Sequence, residues 1–178
     1  MDMVGFLKKY FEAYRKNKST DHIDGGVKKY TSGDDAPKVV ESTEIISFVC
    51  EISLFSLCDL KEEISGRKYK MTAVLEDDAV MGKLDWHNRY NERETLVFAA
   101  DVSFMEKLQN IVAKHDLAKH NGYLSHVSGL PDMYGASINI SYASGEEISA
   151  SDNQDNFLSV PAIEDLIDLF AKTAKDLQ

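Results

Sequence analysis

The sequence predicts an α+β domain, a mainly antiparallel sheet of about five strands packed with two helices and preceded by an N-terminal amphipathic helix. Three observations predict it. Apolar residues recur at every second position in several short runs, the period of a half-buried strand. In three further runs they recur every third and fourth position, the period of a helix with one buried face. After the first helix the runs follow the order β-β-β-α-β-β-α, without the repeated crossovers of a doubly wound parallel sheet.

The first run, residues 1–18, sets Met3, Phe6, Leu7, Tyr10, Phe11 and Tyr14 on one helical face and Lys8, Lys9, Glu12, Arg15 and Lys16 on the other. Residues 19–42 are rich in Gly, Ser and Asp and lack apolar periodicity, so they read as a linker. The single α+β domain then occupies 43–178. Along 44–58, Ile46, Phe48, Cys50, Ile52 and Leu54 form the apolar side of a long strand. Beyond a turn at Ser65-Gly66, Tyr69, Met71, Ala73 and Leu75 give a second. Residues 77–93 are polar, carry Trp86 and Tyr90, and read as a loop or ragged hairpin; Thr95–Ala100 is the third strand.

Ser103 and Glu106 have capping-box spacing at the start of a helix whose stripe is Phe104, Leu108, Ile111 and Val112. Lys114, His115, Lys119 and His120 suit its C-terminal end, and Asn121-Gly122 supplies a left-handed stop. In the hairpin at 136–150, Ile138, Ile140 and Tyr142 must share a face with Ile148 and Ala150. A two-residue Ser144-Gly145 loop would put the two sets on opposite faces. A three-residue loop, Ala143-Ser144-Gly145, pairs Ile140 with Ile148 and puts Gly145 in the left-handed region. The last helix has Pro161 in its first turn and buries Ile163, Leu166, Ile167, Phe170 and Ala174.

Composition narrows the function. Net charge is −10, and residues 1–40, with eight Lys/Arg and six Asp/Glu, carry +2 of it. The remaining 12 basic and 24 acidic residues leave the body at −12, which repels phosphate backbones, so nucleic acid is not an expected partner. No apolar run is long enough to span a membrane and no signal-peptide core follows Lys9, so the expected compartment is the cytoplasm and a membrane partner is not expected. Cys50 and Cys58 lie eight residues apart in one strand-like run, about 26 Å at strand rise, too far to pair with each other.

Candidate site residues come from two places. Asp85-Trp86-His87 could combine a carboxylate, an imidazole and a ring on which a ligand stacks, although strand alternation would turn Asp85 and His87 to one face and Trp86 to the other. Asp152, Asn153 and the polar residues to Asn156 offer oxygen ligands. They miss the calcium-loop pattern, because the Gly and Glu it needs fall on Phe157 and Ile163. His115 and His120 are five apart, which does not suit a metal pair on one helix face. No nucleophile elbow, phosphate loop or dinucleotide fingerprint occurs, so no cofactor, metal or catalytic residue is expected.

The segments Gly33-Asp34-Asp35-Ala36-Pro37-Lys38, Glu41-Ser42-Thr43-Glu44-Ile45, Asn121-Gly122-Tyr123, Gly129-Leu130-Pro131-Asp132 and Tyr142-Ala143-Ser144-Gly145-Glu146, followed by Asp152-Asn153, carry a resemblance. Over about residues 33–175 the chain resembles a family of bacterial cytosolic proteins of unknown function, chiefly from anaerobic Firmicutes. The resemblance implies a compartment and no chemistry. The expectation from the residues is a non-catalytic binding or protein-interaction domain, with a protein partner or self-association through the N-terminal helix. The alternatives are a small hydrolase-like enzyme built on Asp85, His87 and the 152–156 loop, and an oligomerising structural protein.

Overall fold

Eight strands form one sheet in a computed structural model that describes residues 27–32, 35–53, 68–87, 92–128 and 135–177. In chain order they are β1 (Val27–Ser32), β2 (Ile45–Ser53), β3 (Lys68–Glu76), β4 (Ala79–His87), β5 (Arg93–Asp101), β6 (Tyr123–Ser128), β7 (Ala136–Tyr142) and β8 (Glu147–Asp152). Between β5 and β6 lie helix α1 (Ser103–Lys114) and a 3₁₀ turn (Leu117–His120); helix α2 (Val160–Asp176) ends the described chain. The spatial order is β1-β6-β8-β7-β2-β3-β4-β5. Every neighbouring pair is antiparallel except β6 with β8.

The expected fold therefore needs correcting in two respects. The sheet has eight strands where periodicity gives about five, and its mainly antiparallel pairing includes one parallel pair, β6 with β8. The expected N-terminal helix, residues 1–18, lies outside the described residues. Three strands account for the count. β1 falls within the 19–42 stretch read as a linker and pairs with β6. β4 occupies most of the stretch read as a loop or ragged hairpin, joined to β3 through Asp77 and Asp78, whose φ of 45° and 67° fit the two-residue turn that matches strand twist. β6 is short, and its neighbours β1 and β8 are non-local.

One face of the sheet buries its side chains against both helices. Phe48 of β2, Phe98 of β5 and Phe104 of α1 all surround Phe170 of α2, with ring centroids 5.9, 5.8 and 5.1 Å away. Tyr69, Met71, Leu84, Trp86, Ile138, Ile140 and Ile148 extend that core across the strands. The alternation on β2 slips once. A bulge between Ile45 and Ser47 buries Ile45 and leaves Ile46 outside, the reverse of the expected placement, while Phe48, Cys50 and Ile52 keep theirs.

The β7–β8 hairpin has the three-residue loop. Ile140 faces Ile148, Ile138 faces Ala150, the Gly145 N–H donates to Tyr142 O at 3.0 Å, and Gly145 has φ of 86°. α1 starts differently from the capping-box expectation. The N-cap is Val102, which has no side chain able to cap, and Asp101 instead accepts from the Ser103 N–H at 2.8 Å. Nor is Asn121-Gly122 the stop of α1, which ends at Lys114 ahead of Asp116, with φ of 51°. His115 and Lys114 reach across to Asp165 of α2, at 2.7 and 2.6 Å. Those two contacts hold its carboxyl below the usual range.

Gly82 is the packing point of β4. Its cross-strand neighbour is Phe98, whose ring atoms lie 2.1–2.7 Å from where a Cβ would stand. Gly82→Ala is expected to displace that ring from the Phe170 cluster and lower stability by about 1–3 kcal/mol. Urea unfolding followed by far-ultraviolet circular dichroism measures it.

Candidate functional site

With both helices on one side, the other face of the sheet is open among the described residues, and alternation fixes what it carries. Registers across the central strands build two rows. One runs Ser151, Ser137, Glu51, Lys70, Asp85 and Thr95 from β8 to β5. The next runs Ser53, Lys68, His87 and Arg93 from β2 to β5. A cleft of about 410 Å³ opens over these rows, lined by residues of both and closed at one side by Gly135, Asp152 and Asn153. Gly135 permits that closure, because a Cβ there would stand 2.4 Å from the Asp152 carbonyl oxygen.

Asp85 and His87, on one face by strand alternation, both line the cleft, and so do Asp152 and Asn153. The two candidate segments, distant in sequence, thus meet. Trp86 does not join them. It is buried on the helix-covered face and packs in the core, so it has no ring to offer a ligand in the cleft. Sequence reasoning noted Arg93 and Ser151 beside its candidates and passed over Lys68, Glu51, Ser53 and Ser137. The signal for the lysine was available, since Tyr69 and Met71 point into the core and Lys68 must point away.

The carboxylates of the cleft are already engaged. Lys83 Nζ lies 2.8 Å and Arg93 Nη2 3.1 Å from Asp85 Oδ2, and the Thr95 hydroxyl donates to Oδ1 at 2.5 Å. Burial alone would raise the Asp85 pKa. The hydrogen bonds from Lys83, Thr95 and Arg93 outweigh it and bring the carboxyl down to about 2. Glu51 pairs with Lys70 Nζ at 2.5 Å. Asp152 accepts the Gln154 and Asp155 N–H groups on Oδ1, at 2.8 and 2.9 Å, and the Tyr123 hydroxyl on Oδ2 at 2.9 Å. Burial first, and then that bond to Asp152, push the Tyr123 phenol up to about 12, so it remains a donor.

Asn153 acts as an extra rung for β6, accepting from Val127 N–H and donating to Val127 O. The oxygens of this loop thus serve backbone N–H groups, an arrangement that explains the polar run without a cation. Among the described residues no group of three or more His, Cys, Asp or Glu side chains could hold a metal ion. Cys50 is fully buried as a free thiol, and burial, with Glu51 beside it, pushes its pKa up. It is neither reachable nor ionised.

What stays available in the cleft is basic. Lys68 and His87 have no side-chain partner among the described residues, and Arg93, although paired to Asp85, is more than half exposed. At about 4.8 Å between strands, Lys68, His87 and Arg93 spread over roughly 10 Å. His87 contacts no carboxylate among the described residues, so Asp85 does not orient it. The chain matches no family model and no curated protein.

The segments that carried the resemblance hold loops to the sheet. Asn121 donates to Pro37 O and Glu147 O, each at 2.9 Å, and accepts from the Ser149 N–H at 2.8 Å. Lys38 Nζ donates to the Asn121 carbonyl. The Glu146 carboxylate accepts the N–H groups of Glu41 and Ser42, at 2.9 and 3.0 Å. Gly33, Asp34 and 129–132 lie outside the described residues.

The depressed Asp85 pKa makes a pH test. Its contribution to stability is present above the unfolded value near 3.8 and is lost as pH falls through about 2. Asp85→Asn should cost about 1–3 kcal/mol at pH 7, and its deficit against the wild type should shrink between pH 4 and pH 2. Urea midpoints across that range provide the measurement.

Proposed function

We propose that the chain is a non-catalytic binding domain that takes an anionic small molecule or side chain in the cleft on the open face of its sheet. The observation that carries this reading is the row Lys68, His87 and Arg93, which presents three basic groups on one wall of a 410 Å³ cleft. The neighbouring acids are matched by Lys70, Lys83 and Arg93, so they weaken the positive field of that row less than their number implies. A pocket of this size, with a few convergent polar groups, suits a ligand the size of a metabolite. The buried free thiol of Cys50 agrees with a reducing cytoplasm as its compartment.

The meeting of Asp85, His87 and Asp152 in one cleft favours a second reading, a hydrolase-like enzyme. Against it stand the chemical commitments of the acids: a carboxyl brought down to about 2 by three donors is a poor general base at neutral pH.

Inorganic phosphate and citrate, titrated into the full chain, are expected to shift the His87 imidazole and Lys68 amide resonances together in heteronuclear NMR spectra. Lys68→Glu should weaken both titrations about tenfold, since it reverses a charge within the row. Shifts confined to residues outside the cleft, or titrations untouched by Lys68→Glu, would overturn the proposal. Hydrolysis of a phosphoester or carboxylester, abolished by His87→Ala, would establish the enzyme reading in its place.

A further inference from the structure

The two edges of the sheet are built differently. β1, at one edge, has Lys28 and Lys29 in the middle of its six residues, the kind of charge that blunts an edge against pairing. β5, at the other, is nine residues long, pairs with β4 in an unbroken register, and carries no lysine, proline or glycine. Its centre, Thr95-Leu96-Val97-Phe98-Ala99-Ala100, is uncharged and rich in strand formers, the composition of a segment that pairs with another chain when left open. Among the described residues no strand covers its outer side. Val97 is 58% exposed, and Met81 and Val74 continue an apolar strip beside it on the open face, at 46% and 37%.

The sequence of β5 is complementary to itself. Two copies joined edge to edge by a two-fold axis normal to the sheet keep their faces aligned, so residues opposite each other must share parity and the axis must pass through a residue. Placed at Val97, the axis pairs all nine residues. Arg93 of each copy then faces Asp101 of the partner subunit, Thr95 faces Ala99, Leu96 faces Phe98, and Val97 faces its twin. Moving the axis by one residue either way leaves both Arg93 and Asp101 without an opposite charge and shortens the overlap. Both charges are exposed, although Arg93 already pairs with Asp85 and Asp101 accepts the Ser103 N–H, so each would share its charge with the partner.

We propose that β5 is a self-association edge, and that two copies pair antiparallel through it about Val97 to make a continuous sixteen-stranded sheet. The occupant is a second copy, argued from the charge match at the strand ends. The pairing engages Arg93, which also lines the cleft, so its tests read the mass and cross-linking of the chain and not ligand binding.

Light scattering or sedimentation equilibrium on the full chain should give twice its 20.0 kDa mass. Val97→Lys sets two like charges directly opposite and should weaken the dimer by at least about tenfold. In a Cys58→Ser background, Val97→Cys should oxidise to a covalent dimer, because Cα atoms directly opposite lie about 4.5–5.5 Å apart, within disulfide reach. Ala99→Cys should not, since its twin stands roughly 14 Å along the strand. Should Val97→Lys unfold the chain, the two cysteine variants decide the matter. A wild-type monomer at all concentrations, a dimer indifferent to Val97→Lys, or cross-linking at Ala99→Cys would overturn the proposal.

Discussion

Everything on the open face depends on Phe170. Its ring touches Phe48, Phe98 and Phe104, so a single helical residue binds β2, β5 and α1 into one interior. The remaining stripe of α2, including Ile163, Leu166, Ile167 and Ala174, is buried behind it. Because both helices gather on that side, the period of two leaves every alternate residue of the strands facing outward. A sheet sandwiched between helices on both faces has little room for charges on its central strands; here β2, β3 and β4 carry Glu51, Lys70, Lys83 and Asp85 without burying an unmatched one.

The cleft is thus a product of registers. Each ladder places one polar residue beside another, and the ladder β7–β2 brings the two halves of the sheet together. Loop anchors then fix the end of the cleft. Asn121, Asn153 and Glu146 spend their side-chain oxygens and amides on backbone groups of segments distant in sequence. Asp152 holds its own turn in the same manner. Side chains occupied this way are structural, and the basic groups left over lie on β3, β4 and β5.

Much of the fold was legible locally. The hairpin register followed from parity alone, since only a three-residue loop lets Ile140 and Ile148 share a face. The stripes of α1 and α2 followed from helical spacing. β4 was hidden because Gly82 interrupts its apolar side, and the ring that fills the gap, Phe98, comes from the next strand. β1 and β6 were hidden because they pair with distant partners and carry few apolar residues. Ile45 and Ile46 exchanged places through a bulge that no period shows. For the site, alternation was enough to put Asp85 with His87 and to send Trp86 elsewhere. That Asp152 and Asn153 would join them rests on the pairing of β2 with β7, and no reading of nearby residues contains it.

That pairing also sets a schedule for the nascent chain. Phe48 faces Ile140 across the β2–β7 ladder, about 90 residues later in translation, which takes roughly five to twenty seconds at ordinary ribosomal speed. The β2–β5 meander can assemble as it emerges, but the free side of β2, with Cys50 and Ile52 at its apolar surface, stays uncovered until the hairpin arrives. For that interval the half-made protein has two bare flanks, and a holdase has its best opportunity to engage it.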